Sequence, residues 1–260
     1  METWGTGNPY ERYVGRWSRI VASQFLTWLD LPSGQIWGDV GCGTGALIES
    51  ILILSEPASI FAIDQSEGFI FAAKHTITDQ RVRFGLANAT ALPWVSSSFN
   101  VTVAGLVLNF VSDARAMVQE MVRVTQSKGK VAAYVWDYAG GMQMMRQFWD
   151  AAIEVTPDDA RLDQAERFPI CQPEPLISLF RDAGLRSPEV HAIEIETIFK
   201  DFDDYWSPFL GKQGAAPTYL ASLEIEKRDR IREVLRTRLI FSVDGSITLS
   251  ARAWAVQGLV

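Results

Sequence analysis

Three glycines at alternate positions follow a short apolar segment and an aspartate in the stretch IWGDVGCGTGALIE, residues 36 to 49. Glycine adopts backbone angles that other residues resist, and it lets a ligand approach the main chain closely. A strand, a glycine loop and a helix in this order also direct free backbone N–H groups toward a ligand. The spacing therefore predicts a nucleotide- or nucleoside-binding loop at Gly41, Gly43 and Gly45.

Two aspartates beside this loop bear on the kind of ligand. Asp39 lies two residues before the first glycine, where it would repel a pyrophosphate but would suit a cation such as an ammonium group. Asp64 ends the second apolar segment, where a carboxylate can accept hydrogen bonds from both ribose hydroxyls. A nucleoside carrying an amino acid and a positive sulfonium fits the two acids better than NAD does. Asp64 alone does not separate these ligands.

Strands and helices must alternate if these residues are to meet at one site. Apolar runs predict strands at 35–40, 59–63, 82–86, 100–108 and 131–136, and helical periodicity predicts helices at 16–29, 46–54, 67–77 and from the cap Asp113 to Val124. This alternation predicts an α/β fold with a doubly wound, mostly parallel, seven-stranded, Rossmann-like sheet. The glycine loop would then lie at the carboxyl edge of the sheet.

The regular alternation of strands and helices ends after Trp136. Residues 138–170 and 201–240 have helical patterns, and further strands are predicted at 189–199 and 246–256, with a helix at 173–183 before Gly184. We expect a single domain over residues 1–260. Its predicted parts are N-terminal lid helices in 1–34 and helical insertions over the carboxyl edge in 138–172 and 201–243.

Composition limits the classes of partner and compartment. The net charge of −7 argues against a nucleic acid as the main partner. Only two cysteines are present and Cys42 lies inside the glycine loop, so we expect no disulfide framework and a reducing compartment. The first residues lack the apolar core of a secretion signal, and no window approaches the length of a membrane span. The prediction is a cytoplasmic protein without a membrane span, of undetermined oligomeric state.

Several motifs in register resemble a known family. The stretches DVGCGTG (39–45), AID (62–64), NATALPW (88–94), SFNVTVAGLVLNFV (98–111) and SKGKVAAYVW (127–136) resemble the successive motifs of class I S-adenosylmethionine-dependent methyltransferases. They are most similar to the small-molecule subgroup that includes the ubiquinone and menaquinone C-methyltransferases. The resemblance covers residues 36 to 137, and the stretch YERYVGRWSR near the amino terminus resembles the lid helix of that group.

The resemblance implies S-adenosylmethionine as cofactor, with S-adenosylhomocysteine as product, and it assigns positions around them. The methionine part would be lined by Gly41, Gly43 and Thr44 together with Asp39 and Cys42. The ribose would be held by Asp64 and Gln65, and the adenine edge would lie at Asn88 and Ala89. The sulfonium would be flanked by Gly105 and Leu106, and the lid would be closed by Tyr10 and Arg16. Asn88 could instead simply form a turn.

We expect the methyl acceptor to be a small molecule, and the residues that follow the fifth strand suggest its character. Tyr138, Met142, Met145, Phe148 and Trp149 form a stripe that is either helix core or the lining of an acceptor pocket. The second interpretation favours an apolar or aromatic acceptor, methylated by in-line displacement.

Catalytic groups are less clearly indicated. No catalytic residue is obligatory for this chemistry; His191 is a candidate general base, against a structural role. We find no cluster with metal-ligand spacing and no Asn-Pro-Pro-Tyr signature of amide methylation. Two alternatives remain: a protein that binds S-adenosylmethionine or S-adenosylhomocysteine without turnover, and an NAD-dependent oxidoreductase.

Overall fold

The computed structural model describes residues 15–211 and 214–260. Its centre is a seven-stranded sheet in the order β3-β2-β1-β4-β5-β7-β6. The strands are β1 Ile36–Val40, β2 Ser59–Asp64, β3 Val82–Leu86, β4 Phe99–Gly105, β5 Thr125–Trp136, β6 Arg186–Phe199 and β7 Ile247–Leu259. The first five strands pair in parallel, and β7 pairs antiparallel with both β5 and β6. The predicted doubly wound, mostly parallel sheet is confirmed.

Helices connect the strands. They are α1 Arg16–Leu29, α2 Ala46–Leu54, α3 Glu67–Thr76, α4 Ala114–Val124, α5 Gln143–Val155, α6 Gln164–Arg167, α7 Pro173–Asp182, α8 Phe202–Trp206, α9 Ala215–Ser222 and α10 Ile225–Arg238. Short 3-10 turns lie at Leu108–Phe110, Pro157–Leu162 and Ser207–Leu210. The bounds of α1, α2 and β3 are those predicted.

Local chemistry explains where several helices begin and end. The Asp113 side chain accepts a hydrogen bond of 2.8 Å from the Ala116 N–H, as expected of the predicted cap of α4. Ser66 caps α3 in the same way. Gly184, with φ of 91°, follows α7 in the left-handed conformation that commonly closes a helix.

The strands lie in a continuous apolar core. Helix α1 packs against α2, and α4 packs against α7. Phe25 of α1 places its ring 4.7 Å from that of Tyr134 of β5. On α1 the apolar Ile20 is exposed, whereas Ser18 and Ala22 are buried against the sheet side of the helix with Val21 and Phe25.

Six strands differ from the predicted bounds, and the differences in β4 and β5 have clear structural causes. Strand β4 ends at Gly105 rather than Leu108, because Leu106 has φ of 59° and the chain then enters a 3-10 turn. Strand β5 begins at Thr125 rather than Val131. Its pairing with β4 jumps from Thr125 to Lys130, so the residues between these two positions form a bulge within the strand.

The β6–β7 ladder extends beyond the rest of the sheet. Trp136, the last residue of β5, pairs with Ala253, which pairs in turn with Ile193. The ladder continues for six more residues to the pair of Phe199 and Ile247, a projection of roughly 20 Å past the end of β5.

The two inserted regions pack against each other. We call residues 143–167, 202–211 and 214–238 the cap; they lie within the predicted insertions 138–172 and 201–243. Its centre is aromatic: the rings of Phe148 and Phe209 stack at 4.5 Å, and those of Trp149 and Tyr219 lie 5.1 Å apart. The Tyr205 hydroxyl also donates to the Met144 carbonyl at 2.9 Å. Of the helices described, none is both long enough and apolar enough to cross a bilayer.

Candidate functional site

A cavity of about 620 Å³ opens at the carboxyl ends of β1, β2 and β4. This is the crevice where open α/β sheets bind ligands. Eleven of the predicted cofactor residues line it: Asp39, Gly41, Cys42, Gly43, Thr44, Asp64, Gln65, Asn88, Ala89, Gly105 and Leu106. The structure thus brings these residues together, and their contacts with a cofactor stay a prediction.

The three glycines of the loop are required for different reasons. All have positive φ, at 79° for Gly41, 54° for Gly43 and 95° for Gly45. A Cβ on Gly41 would lie 2.6 Å from a methyl carbon of Val107, and one on Gly45 would lie 2.3 Å from the Ile77 Cδ1. A Cβ on Gly43 would meet nothing within 4 Å. Gly41 and Gly45 therefore serve close packing, while Gly43 leaves the wall of the cavity open.

Asp64 ties the end of β2 to this loop. Its carboxylate accepts hydrogen bonds of 3.0 Å from the Gly43 N–H and 2.8 Å from the Ser66 N–H. Burial raises the pKa of Asp64, and backbone N–H groups of Ser66, Gly43 and Gln65 act in the opposite direction. These hydrogen bonds favour the carboxylate form and fix its orientation at the cavity.

Asp39 is the opposite case, a carboxyl with no partner among the described residues. It is fully buried on β1, and neither side-chain oxygen has a hydrogen-bond partner there. Burial, and secondarily the charge of Asp64, raise the pKa of Asp39 to about 8. Buried polar groups are nearly always satisfied, so an orphaned carboxyl in the wall of a cavity indicates a missing ligand group.

The charge of the cavity limits what it can bind. The described lining residues include the carboxyls of Asp39 and Asp64 and contain no Lys, Arg or His. A pyrophosphate would therefore find no countercharge on this lining, whereas a cation would find two acids.

The predicted adenine edge is built by a turn. The Asn88 Oδ1 accepts from the Thr90 N–H at 2.9 Å and from the Thr90 hydroxyl at 3.0 Å. Asn88 is thus a turn former, and it also lines the cavity next to Ala89. The two interpretations of Asn88 are compatible.

The end of β4 is covered by an aromatic hydroxyl that the sequence did not suggest. A Cβ on Gly105 would lie 2.6 Å from the Tyr134 hydroxyl oxygen, so only glycine fits beneath that ring. The Leu106 N–H donates to the Tyr134 carbonyl at 2.8 Å. The register of β4 with β5 was the only signal that could have identified Tyr134. Other lining residues missing from the prediction include Ser18, Phe69, Val107, Phe110 and Ser112.

Arg16 was predicted at the cofactor, and the structure places it elsewhere. Its guanidinium forms an ion pair of 3.1 Å with Asp204 and lies over the rings of Trp17 and Phe199, at 4.5 and 4.8 Å from their centroids. It is not among the residues that line the cavity. Arg16 joins α1 to the cap because its planar cation fits between aromatic faces. Tyr10 lies outside the described residues.

The predicted acceptor residues are core. Tyr138, Met142, Met145, Phe148 and Trp149 are all at most 5% exposed, and none lines the cavity. The aromatic rings that do line it are those of Phe69, Phe110 and Tyr134, and Phe110 makes an edge contact with Phe168 at 5.3 Å. Tyr138 lies behind Phe168, at 5.5 Å.

His191 is also distant from the cavity lining. It is exposed on β6, at the edge of the sheet and three strands from β4, and its ring stacks on Trp28 at 5.4 Å. The general-base interpretation therefore lacks geometric support, and the stacking gives His191 a structural role.

Comparisons with known proteins identify methyltransferases as similar to this chain. Residues 38–133 match a family model described as "Methyltransferase domain". A demethylmenaquinone methyltransferase of Shouchella clausii is 30% identical over 136 residues, which cover 47% of this chain and 57% of that enzyme. The chain thus matches little more than half the length of this relative.

Solved structures share the fold across most of the chain. A candidate methyltransferase from Bacillus halodurans superposes with a TM-score of 0.62 at 12% identity, covering 92% of this chain and 97% of that one. A phosphoethanolamine N-methyltransferase of Haemonchus contortus, solved with S-adenosyl-L-methionine, gives a TM-score of 0.56 at 14% identity, covering 91% of this chain and 52% of that one.

The predicted cofactor, S-adenosylmethionine, is the ligand of that Haemonchus contortus structure, and a second structure of the same enzyme holds S-adenosylhomocysteine. Residues 38–133 therefore match a methyltransferase domain, and over 47% of its length the chain is similar to a demethylmenaquinone methyltransferase.

Proposed function

We propose that the chain transfers a methyl group from S-adenosylmethionine to a small apolar or aromatic acceptor. The observation that carries the proposal is the cavity described above. Its described lining presents two carboxyls and no basic side chain, at the carboxyl edge of the sheet and beside an open glycine loop. This combination favours a nucleoside with a cationic amino-acid part.

The residues present fit such a cofactor. Asp64, oriented by two backbone N–H groups, would accept from the ribose hydroxyls, and Asn88 and Ala89 would lie along the adenine. The open wall at Gly43 would admit the methionine part. The orphaned carboxyl of Asp39 would pair with its ammonium group, which supplies the partner that Asp39 otherwise lacks.

The chemistry then requires alignment more than acid–base catalysis. The cofactor supplies an activated methyl group and a neutral leaving group. The chain would hold the acceptor in line with that methyl group and keep water away from it, which is worth several orders of magnitude in rate. Leu106, Val107, Phe110 and Val111 line the cavity beyond β4 and make that end apolar. This lining supports an apolar or aromatic acceptor.

Calorimetric titration with S-adenosylmethionine, S-adenosylhomocysteine and NAD tests the ligand. We expect the first two to bind and NAD not to bind, since a pyrophosphate meets no cation on the described lining. Binding of NAD alone, or of none of the three, would contradict the proposal.

Transfer of labelled methyl to acceptors tests turnover. We expect product with apolar ring compounds that carry a hydroxyl or an enolisable carbon, and none with charged or polymeric acceptors. Product from charged or polymeric acceptors alone would overturn the acceptor assignment. Cofactor binding without any labelled product, across acceptors of all these classes, would favour the alternative of a binding protein without turnover.

A further inference from the structure

We propose that Asp39 selects a positively charged ligand by exchanging its own proton for the ligand's cation, so that cofactor binding releases a proton. The proposal rests on the proposed function, because it takes the methionine ammonium as the arriving cation. It adds that the free site is electrically neutral at Asp39 and becomes an ion pair only when the ligand is bound.

The first step concerns where the proton lies in the free protein. Asp39 and Asp64 are neighbouring buried carboxyls on the wall of one cavity. Asp64 accepts two backbone hydrogen bonds, from Gly43 and Ser66, and such bonds stabilise a carboxylate. Asp39 accepts none from the described residues. Two like charges this close are unfavourable, so one carboxyl keeps its proton, and it is the one without hydrogen bonds: Asp39.

The second step concerns the groups around Asp39. The Cys42 thiol of the glycine loop is titratable, but burial and the two acids raise its pKa well above the ordinary value, so it stays neutral. Strand β5 contributes the Tyr134 phenol to the same cavity. On the helices that flank β1, Arg19 and Glu49 form an ion pair that is partly exposed and compensates its own charges. The described surroundings therefore offer Asp39 no cation, and its pKa of about 8 agrees with a protonated free state at neutral pH.

The third step follows from the ligand. An ammonium group entering the cavity favours the carboxylate over the acid, since it gives Asp39 a charge-assisted hydrogen bond. The Asp39 proton is released to solvent, and the O–H bond is replaced by an ion pair. Because protons compete with the cation for Asp39, affinity falls as the pH falls below about 8.

Calorimetry in buffers with different heats of ionisation measures the proton directly. The full chain is titrated with S-adenosylhomocysteine at pH 7 in phosphate, HEPES and imidazole, and the slope of observed heat against ionisation heat gives the protons released. We expect close to one proton per ligand, and an affinity that rises about tenfold per unit between pH 6 and 7.

Asp39→Asn is the matched variant, because it keeps the size of the side chain and removes the proton. It should release no proton and bind with little dependence on pH. The affinities of wild type and Asp39→Asn for S-adenosylhomocysteine should therefore differ least at pH 6 and most at pH 8. Any proton that comes from the ligand itself appears in both proteins and cancels.

Asp64→Asn separates the two acids. It should bind more weakly yet still release a proton, with the pH dependence moved to lower pH because the repelling charge is gone. Release that persists in Asp39→Asn and disappears in Asp64→Asn would overturn the assignment to Asp39.

The wild-type measurement stands even if a variant fails to fold. Binding with a pH-independent affinity and no buffer-dependent heat would overturn proton exchange while leaving the proposed function intact. Absence of binding at every pH would overturn the proposed function itself.

Discussion

The Asp64 carboxylate and the Gly43 N–H, 21 residues apart in sequence, are joined by a hydrogen bond of 3.0 Å. The acid expected at the ribose therefore also fixes the glycine loop expected at the methionine. Asp64→Ala should lower the affinity for S-adenosylhomocysteine about 10- to 100-fold, the range expected when charge-assisted hydrogen bonds are lost. The affinity of Asp64→Asn should lie between those of the wild type and Asp64→Ala, because the amide oxygen still accepts a hydrogen bond from the Gly43 N–H. Calorimetric titration measures both, and an alanine variant within threefold of wild type would contradict the assignment.

Gly41 and Gly43 should respond differently to the same methyl group. Gly41→Ala adds strain at positive φ and a clash with Val107, so we expect a loss of more than about 2 kcal/mol in the free energy of unfolding. Gly43→Ala adds only the strain, about 1 kcal/mol, but its methyl group would occupy the open wall of the cavity. Its main effect should be on ligand affinity.

Urea unfolding and calorimetry of the two variants separate these effects. The double variant Gly41→Ala/Val107→Ala should recover part of the stability, since the methyl groups that clash are removed. An equal loss of stability in both single variants would show that packing around Gly41 is not the cause.

The stability of the free protein should depend on pH through Asp39. In the unfolded chain this carboxyl loses its proton near pH 4, whereas in the folded chain it keeps the proton up to about pH 8. Folding therefore takes up a proton between these values, and raising the pH weakens the wild type relative to Asp39→Asn, by at most about 1.4 kcal/mol per pH unit. Urea unfolding of both proteins at pH 5, 6, 7 and 8 checks this. A constant difference would contradict the raised pKa.

Arg16 should matter for stability and not for the cofactor. Arg16→Ala removes the ion pair with Asp204 and the stacking on Trp17 and Phe199, so we expect a loss of about 1 kcal/mol in the free energy of unfolding. Affinity for S-adenosylhomocysteine should stay within twofold. Arg16→Lys serves as the control that keeps the charge and loses the planar stacking. A tenfold loss of affinity in Arg16→Ala would restore the role predicted from the sequence.

Both cysteines should be unreactive in the folded chain. Burial raises the pKa of Cys42 and of Cys171, with nearby acids adding to the effect, and both thiols are nearly inaccessible. Ellman's reagent should therefore modify neither within an hour at pH 8, and should modify two thiols per chain in denaturant. Rapid modification of Cys42 in the native protein would contradict the burial and the raised pKa of this thiol.

The sheet and most of the cavity could be predicted because their signals are local. Alternating apolar segments fixed α1, α2 and β3 to the residue, and the glycine loop placed Asp39 and Asp64 at one edge. These features depend on contacts between neighbouring strands whose order follows from known crossover rules. The bulge in β5 could not be predicted in this way, because it depends on a distant residue: the Lys128 N–H donates to the carbonyl of Val260, which follows the last strand.

The remaining errors arose where distant segments meet. Arg16 belongs to a stretch that resembles a lid helix, but its partner Asp204 is 188 positions away in the sequence. No local pattern reveals this ion pair. The stripe containing Phe148 and Trp149 could line a pocket or form part of the core. In the structure these rings pack against Phe209 and Tyr219 of the second insertion, which makes them core residues. Tyr134 lies within an apolar strand segment, and only the register with Gly105 reveals that its hydroxyl covers the end of β4.

The pairing of Phe199 with Ile247 has a consequence for how this molecule could diversify. The 47 residues between these partners leave and re-enter the sheet at adjacent points on one ladder. The β6–β7 pairing holds the two ends of this segment together. The entropic cost of closing the segment therefore rises only slowly as the segment becomes longer. Excursions of other lengths and sequences could thus be grafted onto the same two strands. Evolution or design could replace this half of the cap as a unit. The strands β1, β2 and β4, which border the cavity, would keep their register.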